Sequence, residues 1–321
     1  MSAESNSERT VANVEWAEAW SGAQALLAPA ERFTVEGADP SVQISALDWG
    51  GEGELAVLHH ANGFSGAVLA QVASLLSDRY RVIAIDARGH GDSTPVAPVG
   101  EPDPYDWDTL AADARSAIRG ILARTGHDQV ALAIGHSFGG ALLLRAAAKA
   151  PATIERLLLC DPVIMPPFTP EQLADASRGP GLAQATRRRR DHFPSSEEAY
   201  LHCGSRGLFA NFTPEALALY AGAAMRETDD GQVTLKCHRD VEAAIFDGGP
   251  ASSEAGAVED VTAQVLFVHA KRGNFSAEYY EKIAARMSNA TVVSRDLAHL
   301  FPLEEPDRVI ELLDEMLAQD A

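Results

Sequence analysis

The stretch AIGHSFGGALLL, residues 133–144, limits what this chain can fold into more than any other. An apolar run, QVALAIG, is followed within a few residues by a second one, ALLLRAAAKA, and between them stands G-x-S-x-G with Ser137 at its centre. A β-branched and apolar run of this length reads as a buried strand, and the Leu/Ala-rich run after it as a buried helix. A strand that turns straight into a helix needs glycine where the two backbones approach, and Gly135 and Gly139 supply it. Ser137 then stands at a helix N-terminus, where unpaired N–H groups and the helix dipole favour developing negative charge. In this strand–turn–helix context the pattern reads as a nucleophile elbow.

The rest of the chain repeats the same alternation. RFTVEG and VQISALDW read as strands, LAVLHH as a buried strand, AVLAQVASLLSD as a helix and YRVIAID as a strand. WDTLAADARSAIRGILARTG is a helix ending at Gly126, and IERLLLCD is a strand. After Asp161 the alternation stops. Residues 162–250 are Pro-rich at first, then irregular and helical with no convincing buried strand. From residue 263 the pattern resumes with strand AQVLFVHA, helix AEYYEKIAARM, strand ATVVSRD and helix PDRVIELLDEMLA. Buried strands alternating with helices predict an α/β fold, a mostly parallel central sheet covered on both faces. The division expected is an N-terminal extension over 1–30, a core over 31–162 and 250–321, and an inserted, mainly helical lid over 163–249.

These motifs together resemble the α/β-hydrolase superfamily. AIDARGHGDST, residues 84–94, is similar to that family's strand-four loop, with Asp86, Arg88, Gly89, Gly91 and Ser93 matching as scaffold. HHANGFSG, residues 59–66, resembles the oxyanion loop after strand three, although it reads HANGF where HGF is usual. AHLFPLEEPDRV, residues 298–309, resembles the loop of the catalytic histidine. The resemblance covers roughly residues 43–162 and 263–318; the insert is not diagnostic.

A serine hydroxyl needs a base, and His299 follows a late strand in the chain order serine, acid, histidine. Of the other histidines, His136 flanks the serine, His60 falls in the oxyanion loop, and His269 at a strand end reads as a satisfied core histidine. The resemblance implies an oxyanion hole made by the backbone N–H of Phe138, the residue after the nucleophile, and of Phe64 in the ANGF turn, with Asn62 or Gly63 as alternatives. The acid is harder to place. The usual site is the loop after VLFVHAKRGNF, residues 265–275, and it carries Lys271, Arg272, Gly273 and Asn274 with no carboxylate before Glu278. LLLCDPV ends on Asp161, one helix and one strand after the serine, and some α/β-hydrolases place their acid there. Asp161 is therefore the expected partner of His299, with Gly273 at the vacated position.

Composition excludes more than it identifies. With 26 Lys+Arg against 46 Asp+Glu the net charge is -20, which argues against a nucleic-acid partner. Three cysteines are too few for a disulfide framework, and MSAESNSERT shows no signal-peptide pattern, so a cytoplasmic protein without a membrane partner is expected. The pairs His202–Cys203 and Cys237–His238 lack standard zinc spacing, so neither a metal nor another cofactor is expected. The run Arg187–Arg190 reads either as a solvated face balanced by Asp191, Glu197 and Glu198, the preferred reading, or as an attractor for acidic substrates. EPDPYDWD, residues 101–108, reads as a cap for the helix that follows.

The function expected from the resemblance is a serine hydrolase acting through an acyl-enzyme on a small or medium apolar ester, lactone or thioester. No aspartate stands at the nucleophile position, which disfavours dehalogenase or epoxide-hydrolase chemistry. Carbon–carbon bond hydrolysis or cofactor-free perhydrolysis on the same triad, and a non-catalytic ligand receptor that keeps the triad, are the alternatives. The partner expected is a small-molecule substrate, and a homodimer is left open.

Overall fold

The computed structural model describes residues 14–98, 103–164, 181–252, 257–273 and 275–318. The polar N-terminus, the Pro-rich beginning of the insert at 165–180, and Asn274 lie outside the described residues.

Helix α1, Trp16–Leu27, is followed by strands β1, Glu31–Glu36, β2, Gln43–Asp48, and β3, Glu54–His59. A short turn of 3-10 helix, Gly66–Leu69, leads into α2, Ala70–Leu76, and then β4, Tyr80–Ile85. Helix α3, Trp107–Thr125, starts where the sequence expects it. Asp106 accepts hydrogen bonds from the N–H groups of Asp108 and Thr109, and the helix ends on Gly126 in the left-handed conformation. Strand β5, Val130–His136, helix α4, Phe138–Lys149, and strand β6, Ile154–Cys160, follow. After the insert come β10, Gln264–Arg272, and β11, Ala290–Ala298, separated by a helix over Ala277–Ala284; a final helix over Asp307–Leu317 closes the described chain.

The eight strands form one sheet in the order β1-β2-β4-β3-β5-β6-β10-β11. The first two pairings are antiparallel and the rest parallel, so a mostly parallel sheet is the correct reading of the sequence. Every residue of β5 is buried, as a central strand covered on both faces requires. Two apolar cores, one on each face, hold the helices to the sheet.

Between β6 and β10 the described chain leaves the sheet. It forms a helix over Leu182–Arg187, strand β7, His192–Phe193, a helix over Ser196–Gly204, a short helix over Pro214–Ala218, strands β8, Met225–Glu227, and β9, Val233–Leu235, and a helix over Arg239–Ser252. The three strands pair antiparallel in the order β7-β9-β8. The sequence gives no sign of this small sheet, because strands of two and three residues are too short to show a period. Helix α1 packs on the insert as well as on the core. The Trp16 and Trp20 rings stack at 5.3 Å, Trp16 lies 5.6 Å from Tyr200, and the Trp20 indole covers Gly222. Among the described residues no helix is long and apolar enough to cross a membrane.

Candidate active site

The parallel strands β5, β6, β10 and β11 deliver their C-terminal ends to one edge of the sheet, where open α/β sheets bind ligands. Ser137 follows β5 directly. Its backbone sits at φ 56, ψ −119, a conformation that costs a non-glycine residue about 1–3 kcal/mol and persists only where the surroundings impose it. The surroundings do so. Ser137 N–H donates to the Cys160 carbonyl at 3.0 Å, and Val163 N–H donates to the Ser137 carbonyl at 3.1 Å, so the turn is stitched to both sides of Asp161. A Cβ on Gly139 would fall 2.5 Å from the His60 carbonyl oxygen, which leaves glycine as the residue that fits against the oxyanion loop.

Asp161 ends β6 with φ 43, a left-handed conformation that Asp tolerates better than most residues. Its carboxylate is fully buried, and a buried charge needs donors. Ala270 N–H donates to Oδ1 at 3.1 Å, and the Tyr280 hydroxyl reaches the same oxygen at 3.2 Å while also lying 2.8 Å from the Pro162 carbonyl. Burial, together with the Asp161 charge, pushes the Tyr280 hydroxyl far above its ordinary range, so it stays a donor. The remaining oxygen faces the histidine: His299 Nδ1–H donates to Asp161 Oδ2 at 2.6 Å.

His299 follows β11. With Nδ1 protonated toward Asp161, its Nε2 is an acceptor, and the Ser137 hydroxyl lies 2.9 Å from it. The three residues singled out from the sequence are thus connected by two hydrogen bonds. The vacancy in the loop after β10 has a geometric counterpart. A Cβ on Gly273 would fall 2.6 Å from Asp161 Oδ2, so a side chain there and the Asp161 carboxylate compete for the same space. Gly273 is not among the glycines with positive φ.

The oxyanion loop departs from expectation at one residue. Phe138 N–H stands at the first position of α4, where no preceding turn can accept it. Phe64 N–H, by contrast, donates to the Ala61 carbonyl at 3.2 Å, and Gly63 N–H donates to His90 Nε2 at 3.0 Å. Phe64 N–H is taken up by the loop's own turn and Gly63 N–H by His90 of the strand-four loop. Of the three amides considered, Phe64 N–H and Gly63 N–H are thus engaged, and Asn62 N–H, the remaining alternative, has no acceptor among the described residues. The Phe64 side chain is buried, 5.4 Å from the Tyr220 ring.

Several residues that the sequence marked only by position now have partners. His136 Nε2–H donates to the His299 carbonyl at 2.9 Å, and burial pushes His136 down to about 3, so it is neutral at ordinary pH. His90 and His60 are also buried and lowered, chiefly by desolvation, and His60 Nε2 accepts from Ala87 N–H at 2.9 Å. Asp86, read as scaffold, accepts from Gly66 N–H at 2.7 Å and Asp92 N–H at 3.0 Å, tying the strand-four loop to the oxyanion loop. His269 bonds Ser294 and the Phe275 carbonyl through its two nitrogens, as a core histidine should. Arg187, Arg188 and Arg190 are exposed, as a solvated face requires, but the acids that balance the run are not the expected ones. Arg187 pairs with Asp247 and Arg189 with Glu242, while Asp191 pairs with Arg239.

The model of the alpha/beta hydrolase family matches residues 56–312, a span that takes in all these elements. The chain belongs to the alpha/beta hydrolase family. This hydrolase is 30% identical over 224 residues to the 2-(acetamidomethylene)succinate hydrolase of Mesorhizobium japonicum, a match covering 68% of this chain and 70% of that one. It is 37% identical over 111 residues to a non-heme chloroperoxidase of Burkholderia pyrrocinia, where the match spans 34% of this chain and only 36% of the relative. Among solved structures, E-2-(acetamidomethylene)succinate hydrolase superposes with a TM-score of 0.71 at 22% identity, covering 91% of this chain and all of that one; at this identity the likeness speaks for the fold alone.

Proposed function

We propose that this hydrolase cleaves carboxylic esters, lactones or thioesters through a covalent acyl-serine. His299 Nε2 takes the Ser137 proton as Oγ attacks the carbonyl carbon. Asp161 holds the tautomer with Nδ1 protonated and stabilises the imidazolium. The tetrahedral oxyanion is held by the N–H groups of Phe138 and Asn62. Collapse transfers the proton from His299 to the leaving oxygen or sulfur, and the acyl group stays on Ser137. Water, deprotonated by His299, then attacks the acyl carbon, and Ser137 takes the proton back as the acid leaves. The inserted segment serves as a lid over this edge of the sheet.

The observation behind this reading is the unbroken run of contacts from Asp161 Oδ2 to His299 at 2.6 Å and from His299 to Ser137 Oγ at 2.9 Å, ending on a strained serine. The test is labelling and turnover together. The parent should react with a fluorophosphonate at Ser137 and hydrolyse p-nitrophenyl esters. Labelling that persists in Ser137→Ala would sink the assignment. Peroxide chemistry on the same three residues is the second reading, favoured by the similarity to a protein named a non-heme chloroperoxidase. β-Diketones and acetate with peroxide belong in the same panel, to separate carbon–carbon cleavage and perhydrolysis from ester hydrolysis.

A further inference from the structure

A cavity of about 490 Å³ opens in the inserted segment. That volume is in the range of small-molecule sites. Arg188, Arg189, Arg190 and Arg206 line it, and no acidic side chain does, in a chain that carries 46 Asp and Glu. Among the described residues, Arg188 and Arg206 have no ion-pair partner at all. Arg190 stacks its guanidinium 4.5 Å over the Phe193 ring and donates to the His192 carbonyl, so its charge is also uncompensated. Arg189 lies deepest. Its Nη2 pairs with Glu242 Oε2, while its Nε is covered and has no acceptor. His202, on the same wall, has its proton affinity lowered by burial and then by Arg206 and Arg190, as expected where positive potential accumulates.

Gathered like charges repel, and guanidinium groups left without acceptors forgo the bidentate bonds their geometry suits. The remaining walls, Phe193 and Tyr220 among them, are largely apolar and suit a carbon skeleton, which inorganic phosphate would leave uncovered. The cavity also backs onto the oxyanion loop. The Tyr220 ring lies 5.4 Å from that of Phe64, and the Glu242 carboxylate touches Gly63, 2.6 Å from where its Cβ would be. We propose that this cavity holds the carboxylate of the substrate, so that the compound hydrolysed is an ester or thioester bearing a free acid at its other end. The inference rests on the acyl-serine reading for the reaction, and on the arginines alone for the anion.

The experiment has two arms. In the first, Ser137→Ala protein is titrated calorimetrically with succinate, with butyramide as the neutral control and inorganic phosphate as the alternative anion. In the second, kcat/KM is measured for mono-p-nitrophenyl succinate and for p-nitrophenyl butyrate above pH 7. Succinate should bind where butyramide does not. The succinate ester should be preferred by at least about tenfold, the scale of one charge-assisted hydrogen bond. Both effects should vanish in Arg188→Gln/Arg206→Gln, whose positions are exposed and do not threaten folding. Equal kcat/KM for the two esters in the parent overturns the proposal, as does binding of phosphate but not succinate. Succinate binding that depends on the arginines, with neither ester hydrolysed, supports the anion site and defeats the acyl-serine reading instead.

Discussion

Two regions of this hydrolase collect charged and polar groups, and they treat them in opposite ways. At the sheet edge the side chains of the triad and of the histidines around it are matched. The Asp161 carboxylate has donors on both oxygens, His299 is bonded at both nitrogens, and His136 and His90 are neutral and bonded. In the insert the arginines outnumber the acids facing them, and the Nε of the inner guanidinium has no acceptor. A site that acts on a transient charge must be complete before the substrate arrives, because its donors cannot reorganise during the reaction. A site that recognises a stable charge can be left incomplete, with the ligand supplying the missing partner.

The harshest way to break this comparison is to remove the nucleophile. Ser137→Ala should lower ester turnover by at least about 10⁴-fold and leave the melting temperature nearly unchanged. Residual turnover near the parental rate would mean that the matched edge is not the reaction centre. Asp161→Asn comes next, with a loss of roughly 10⁴-fold, because an amide can hold His299 in the wrong tautomer. Asn tolerates the φ of 43 about as well as Asp, so the variant should fold. Activity within about tenfold of the parent, a barrier change of only ~1.4 kcal/mol, would place the acid elsewhere.

Gly273→Ala sharpens the same point with a smaller effect. Its methyl group would meet Asp161 Oδ2 at 2.6 Å, so the carboxylate must shift, and a displacement of that kind costs on the order of 10²-fold in kcat. The reciprocal test is Asp161→Ala combined with Gly273→Asp. It should be more active than Asp161→Ala alone, since the space vacated by one carboxylate is open to the other. No gain over the single variant would show that the two positions are not interchangeable.

The last prediction concerns stability. His59 and His90 are lowered to about 4 and His136 to about 3, and His60 lies well below its ordinary value, all chiefly by burial. A depressed base takes up fewer protons folded than unfolded. The stability it contributes is complete above the unfolded pKa of about 6.5 and falls as pH drops toward the folded value, by roughly 1.4 kcal/mol per unit for each histidine. Glu242, raised to about 7 by burial, runs the other way: its contribution is present at low pH and lost as pH rises through 7, offsetting about one histidine. The net expectation is a falling urea midpoint between pH 7 and pH 5. A flat midpoint over that window would mean that the buried histidines are not held neutral.

The sheet edge was open to sequence reading because its constraints are local and periodic. Continuous apolar runs marked β3, β5 and β6, and glycines at fixed offsets marked the turn at Ser137. Asp161 was singled out by elimination, since residues 271–273 offer no acid. The choice among Phe64, Gly63 and Asn62 was not legible, because spacing does not reveal which amides a folded loop engages. Tyr280 and the Ala270 N–H meet Asp161 across more than a hundred residues of sequence, a convergence that only the folded sheet creates. The arginine cavity was hidden for a related reason. Arg187–Arg190 is obvious as a run, but its surroundings come from β7, β8, β9 and the separate Arg206, none of which has a pattern long enough to read.

The His136 hydrogen bond gives the site a mechanical property. One end is the residue immediately before the nucleophile, the other the backbone of the base itself. The two thereby move as one lever: a shift of the loop after β11 pulls on the turn after β5 rather than opening the distance between Oγ and Nε2. The joint carries no charge, so neither salt nor mild acid should slacken it. In the proposed reaction, substrate admission through the insert and alignment of the reacting pair are thus left to separate moving parts, and each can be altered without retuning the other.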